Sequence, residues 1–173
     1  MRGSKGGRGA ARARRTRGAA LQGSIQKATR RRGPTEAELI AAARLARDHA
    51  CADYSGFAVG AALETDDGLV ITGCNIENAT YGLTMCAERV ALYNALSAGF
   101  REFRRLAVVA DSTSPAPPCG ACRQLIEEFA PKAEVVAANL GRRIRRWQAG
   151  TLLPDPFTRR LLDGRSSRRR RTR

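Results

Sequence analysis

Apolar residues first recur at helical spacing at Leu39, Ile40, Ala43 and Ala46. Just before them, Thr35 can cap a helix, and Glu36 and Glu38 suit its first turn, so a helix is predicted from there to about Cys51. Phe57 to Leu63 reads as a strand whose run Val59-Gly60-Ala61-Ala62 leaves room for a helix or ligand against the backbone. Asp66-Asp67-Gly68 predicts a hairpin turn, and Leu69-Val70-Ile71 the returning strand. A second helix is predicted from Cys86 to about Ser97, stopped by Gly99. Leu106 to Ala110 has the composition of a buried strand. The stiff Ser114-Pro115-Ala116-Pro117-Pro118 loop then leads into a third helix from Cys119 to about Ala130. Val135 to Ala138 predicts a fourth strand, and Arg142 to Trp147 a fifth, at an edge where its charges deter pairing with other chains. Helix, hairpin, helix, strand, helix, strand is the order of an α/β fold: a three-layer α/β/α sandwich with a mixed five-stranded sheet.

Charge divides the chain into three parts. Residues 1–33 hold eleven Lys/Arg and no acid, and residues 159–173 hold eight Arg and one Asp. Residues 34–158 hold 12 basic and 15 acidic residues, a balance of −3. The net charge of +15 therefore belongs to the ends. Residues 1–33 and 159–173 read as basic, disordered tails flanking one domain at 34–158. Such tails can attract nucleic acid, but a nucleic-acid-binding body would itself be basic, so nucleic acid is expected to be at most a partner of the tails. The five cysteines are an odd number, and the chain has no secretory or membrane-spanning apolar run, which fits a reduced compartment and no membrane. The 28 Arg against 3 Lys reflect coding bias more than function.

The candidate chemistry lies in two short runs. Pro118-Cys119-Gly120-Ala121-Cys122 puts two thiols three residues apart, on one face of a helix start, where free N–H groups favour thiolates. Cys86 offers a third sulfur from another helix start, and Glu88 follows it by two. Three cysteines fill three positions of a four-coordinate zinc and leave one open for water. Glu88 is close enough to serve that water without binding the metal. A dithiol redox pair needs neither the third cysteine nor the glutamate. A structural zinc site needs a fourth ligand, for which Cys74 or Cys51 are available. Neither metal run contains histidine, so Glu88 is the expected proton shuttle. Lone His49 reads as a cation in the last turn of the first helix. Arg89 can hydrogen-bond a cysteine sulfur and offset its charge, and Arg123 is a weaker candidate for the same task.

From Tyr54 to Phe157 the chain resembles the small homotetrameric cytidine deaminases. The runs that carry the likeness are Tyr54-Ser55-x-Phe57-x-Val59-Gly60-Ala61-Ala62, Gly73-x-Asn75-x-Glu77-Asn78-Ala79-x-Tyr81, Cys86-Ala87-Glu88-Arg89, Pro118-Cys119-Gly120-Ala121-Cys122-Arg123-Gln124 and Leu152-Leu153-Pro154-x-x-Phe157. Asp53 and Pro117 depart from the usual pattern, which commonly has proline and serine there, and neither change removes a catalytic group. The resemblance implies one Zn²⁺ per chain and hydrolysis of cytidine and deoxycytidine to uridine and deoxyuridine plus ammonia, in cytoplasmic pyrimidine salvage. It implies that Asn75 and Glu77 hold the ribose hydroxyls and that Phe57 and Ala87 face the nucleoside. It further implies that Tyr81 and Phe157 line the site of a neighbouring subunit in a homotetramer. Two other readings stay open: a deaminase of a cytosine-bearing antibiotic, which the Asn75-x-Glu77 pair disfavours, and a nucleic-acid editor.

Overall fold

The computed structural model describes residues 32–162, and from Gly33 onward they belong to one compact unit. Nearly all of the two basic tails lies outside the described residues. Arg159 to Leu162, placed in the C-terminal tail by the sequence, form a helical turn.

Helix α1 spans Glu36–Arg47 and opens on a capping box: the Thr35 hydroxyl accepts the Glu38 N–H, and the Glu38 carboxylate accepts the Thr35 N–H. It ends four residues before Cys51. Backbone that the sequence assigned to the helix goes instead to a bridge, in which Cys51 donates to Asn75 O and accepts from Glu77 N. Strand β1 is Val59–Thr65, β2 Val70–Cys74, β3 Phe103–Ala110, β4 Glu134–Asn139 and β5 Ile144–Gln148. Helix α2 is Ala87–Ser97 and α3 is Gly120–Phe129. The sheet order is β2-β1-β3-β4-β5, with β3 and β4 parallel and the other pairs antiparallel. The α/β sandwich and mixed sheet expected from the sequence are present, with β5 at one edge.

Strand alternation separates two cores. Ala62, Ala107, Val109 and Ala138 face α1 and pack on Leu39 and Ala43. Ala61, Leu63, Leu106, Val108 and Val135 face the other way, onto Ala87, Ala91, Leu92, Cys122 and Ile126 of α2 and α3. Ala87, Ala91 and Ala95 are fully buried within the chain. Two glycines set the thickness of the sandwich. A Cβ on Gly60 would lie 2.0 Å from Ala43 O of α1, and one on Gly73 would lie 2.5 Å from Ala91 N of α2. Gly73 therefore lets α2, with its cysteine start, press against the sheet. Glu64 is buried on β1 and ion-paired at 2.6 Å to Arg105, its register partner on β3. Among the described residues no helix is long and apolar enough to cross a membrane.

Candidate active site

The end of β3 leads through residues 111–118 to Cys119, and the loop after β2 leads to Cys86. Each of these cysteines stands at the N-cap of its helix, α3 and α2, and neither makes a side-chain cap bond. Cys122 follows on the first turn of α3 and is buried. The three sulfurs lie within 4.8 Å of one another, with 3.7 Å from Cys86 to Cys119 and 3.5 Å from Cys119 to Cys122. Tetrahedral ligands at the usual Zn–S distance of about 2.3 Å sit about 3.8 Å apart. The donor set and its spacing therefore fit a zinc ion held by Cys86, Cys119 and Cys122, one per chain.

The cluster stabilises negative charge. The Cys86 thiol is drawn down to about 5, first by the hydrogen bond from Cys122, with the Arg89 guanidinium and Cys119 adding to it. Cys122, donating to Cys86 and buried, is pushed up correspondingly. Arg89 Nη2 lies 3.6 Å from Cys86 Sγ and 2.8 Å from Thr84 O, so one guanidinium ties the α2 start to the loop before it. Arg123 does not reach a sulfur. Its Nε donates to Pro118 O at 2.8 Å and its Nη1 to Leu152 O at 3.1 Å, which fixes the loop that delivers Cys119.

Glu88 is only 5% exposed, on the first turn of α2. Burial lifts its carboxyl to about 7, the negative charge of Cys86 adds to the rise, and the helix-start N–H and Cys122 pull it back. A carboxyl poised near neutrality can both take and give a proton. It borders a cavity of ≈ 180 Å³ together with Cys86, Cys119, Phe57, Val59, Asn75 and Ala87, and Val108, Ala116 and Pro117 form more of its wall. This is a largely apolar slot with a carboxyl and thiols at one end.

Asn75 is buried at the cavity edge, where its Oδ1 accepts the Val59 N–H at 2.8 Å and its Nδ2 donates to Phe57 O at 2.9 Å. It thereby staples the segment that carries Phe57 into β1, and one N–H and one lone pair remain for a ligand. Glu77 lies outside that slot. It borders a neighbouring depression of ≈ 300 Å³ with Tyr54, Ser55, Asn78, Tyr81 and Thr84. Its carboxylate accepts from the N–H groups of Tyr54 and Ser55 at 2.9 and 3.1 Å and from the Ser55 hydroxyl, and these bonds hold it below the usual carboxylate range, the hydroxyl foremost. Three of its roughly four acceptor sites are in use, which leaves one. Thr84 borders both depressions and joins them. Sequence reasoning gave Thr84 no role, although its place two residues before Cys86 was a usable signal.

Tyr81 and Phe157 do not reach the slot in their own chain. They are 76% and 60% exposed, and Tyr81 makes an edge contact with Tyr54. Gln124 Nε2 holds Phe157 O at 2.7 Å. Cys74 donates its thiol to His49 O at 3.3 Å on the α1 side of the loop.

The family pattern described as the cytidine and deoxycytidylate deaminase zinc-binding region matches residues 34–138. A cytidine deaminase of Halalkalibacterium halodurans is 52% identical over 121 residues, covering 69% of this chain and 92% of that protein. One from Sporosarcina psychrophila is 48% identical over 122 residues, covering 70% and 90%. Among solved structures, cytidine deaminase from Burkholderia pseudomallei superposes with a TM-score of 0.70 at 53% identity, covering 72% of this chain and all of that one.

Proposed function

Because the chain belongs to the cytidine and deoxycytidylate deaminase family, and is a zinc-dependent hydrolase that deaminates cytidine, we propose the following division of labour among its residues. Cys86, Cys119 and Cys122 hold the ion, which when bound supplies Lewis acidity that makes water a nucleophile at neutral pH. Glu88 takes a proton from the attacking water and delivers it to N3 of the pyrimidine, then takes the remaining proton of the hydroxyl now on C4 and passes it to the departing amino group. A C4–O bond forms, the C4–N bond breaks, and ammonia leaves. The observation that carries this reading is the buried Glu88 carboxyl lining the same apolar slot as Cys86 and Cys119, two of the three thiols that stand at zinc spacing.

Phe57, Ala87, Val108 and Pro117 exclude water around the base. The ribose points past Thr84 toward Glu77, with Asn75 offering its free N–H and Glu77 its remaining acceptor site. Arg89 neutralises sulfur charge. The exposure of Phe157 and Tyr81 supports a homotetramer in which these rings complete the pocket of a neighbour. Deoxycytidine is accepted alongside cytidine, the product feeds pyrimidine salvage, and the enzyme works in the cytoplasm.

The test is Glu88→Gln, assayed by the absorbance change of free cytidine alongside zinc content. Zinc stays stoichiometric and turnover falls by several orders of magnitude. Turnover within about tenfold of wild type, with zinc unchanged, assigns the proton to another group.

A further inference from the structure

The slightly acidic balance of residues 34–158 conceals a strongly uneven surface. Residues 135–154 contain four arginines and no acid, and all four fall within the five positions 142–146. They occupy the β4–β5 turn and edge strand β5, and all four are exposed. Arg44 of α1 joins them, with Nη2 at 3.2 Å from Leu140 O. Of these five guanidiniums only Arg146 has a carboxylate partner, Glu36 at 2.6 Å. Among the described residues no ion pair involves Arg44, Arg142, Arg143 or Arg145. Asp111 is exposed at the end of β3, and Glu134 stands opposite Gln148 at the far end of β5.

Arg145 and Arg146 lie on edge strand β5, where charge deters pairing with another chain, whereas Arg142 and Arg143 lie in the turn before it and have no edge to protect. The turn arginines are therefore surplus to edge protection, and each of the four carries a planar fork suited to phosphate. Beside them the Arg145 guanidinium lies 4.8 Å above the ring of half-buried Trp147, two residues along on the same face of the strand. A row of unneutralised guanidiniums next to an aromatic–guanidinium stack is the combination that binds a phosphodiester backbone while bases stack. The strip is fixed in place. Arg143 Nη1 donates to Thr113 O at 3.0 Å, and Asn139 Nδ2 to Ser112 O at 3.2 Å, so the turn is bonded to the loop that continues to Cys119.

We propose that the Arg142–Trp147 edge is a binding site for single-stranded nucleic acid, separate from the nucleoside pocket. Arg142, Arg143 and Arg145 contact phosphates, and the Arg145–Trp147 stack receives a base.

Trp147 is the only tryptophan of the chain and reports on the strip directly. The full-length zinc enzyme is titrated with a 12-nucleotide oligoadenylate, which contains neither substrate nor product base, at several salt concentrations. Fluorescence of Trp147 is read in parallel with anisotropy of the labelled oligonucleotide. Saturable quenching is expected, with affinity falling as salt rises. R142Q/R145Q should lose tenfold or more in affinity and lower the salt slope by roughly 1.4, two single-strand phosphate contacts, with cytidine turnover and thermal unfolding unchanged. Unchanged affinity and slope in that variant would place binding elsewhere in the chain and overturn the proposal. Equal affinity for inorganic polyphosphate of the same charge would overturn the assignment to nucleic acid.

Discussion

Gly73→Ala tests how closely catalysis depends on the thickness of the sandwich. A methyl at position 73 would lie 2.5 Å from Ala91 N, 2.7 Å from Ala87 O and 3.0 Å from Val90 C, all backbone of α2. No side chain can rotate away, so the helix must retreat until the closest contact reaches an ordinary 3.4 Å, a movement of about 0.9 Å. Overpacking of this kind costs about 1–3 kcal/mol of stability, which lowers the melting temperature by on the order of 5 °C. The catalytic cost is larger, because Glu88, the proposed proton shuttle, lies within the contacted turn and Cys86 caps the same helix. A displacement near 1 Å in a catalytic group costs on the order of 10²-fold. The assay pairs thermal unfolding with kcat/KM for cytidine and zinc content on one preparation. Gly60→Ala is the companion variant: its methyl would meet Ala43 O at 2.0 Å on α1, across the sheet from the cysteines. It should destabilise at least as much while the folded fraction retains more activity. Gly73→Ala with the wild-type melting temperature and kcat/KM within about twofold of wild type refutes the reasoning.

Three further outcomes are expected. Cys74→Ala should leave one zinc per chain, since that thiol donates to His49 O rather than joining the cluster; a halved zinc content by metal analysis would turn the site into a four-cysteine structural one. Phe157→Ala should weaken both assembly and cytidine binding, by about 2–4 kcal/mol if the ring is buried in a neighbour, and a fully active monomer in light scattering at nanomolar concentration would contradict the shared pocket. The Arg146 hydrogen bond holds Glu36 below the usual carboxylate range, so its contribution to stability is complete above the ordinary value and lost as pH falls through the lowered one. The urea midpoints of wild type and Arg146→Gln should therefore differ at pH 7 and draw together as pH falls below the ordinary carboxylate range, and a gap that widens on acidification would be inconsistent with this pairing.

Much of the fold could be read from local pattern. The thiol-bearing helix starts were readable because a cysteine three residues from another, or two from a glutamate, fixes relative position within a single turn. The end of α1 was not, because Asp48 to Ala50 tighten into turns on Leu45, Ala46 and Arg47, and Cys51 is drawn into a bridge with Asn75 and Glu77, more than twenty positions away. Arg123 misled for a related reason. Adjacency to Cys122 suggested a sulfur contact, whereas the carbonyls of Pro118 and Leu152 compete for its donors. Asn75 was legible as a polar site residue, but its grip on the backbone at Phe57 and Val59 required the third dimension. The charge count for 34–158 was correct, yet an average cannot show that four of its arginines gather at the β4–β5 turn and the start of the edge strand.

The uncapped starts of α2 and α3 carry a further consequence. A serine or aspartate at those positions would satisfy helix N–H groups by itself; Cys86 and Cys119 do not. An ion gripping both sulfurs cross-links two points 33 residues apart and removes chain entropy from the unfolded ensemble, as a covalent bridge does. The native population then depends on free zinc through mass action. Metal scarcity would remove enzyme molecules from the folded pool as well as silence them, so the half-life of the protein in a cell becomes a gauge of zinc supply.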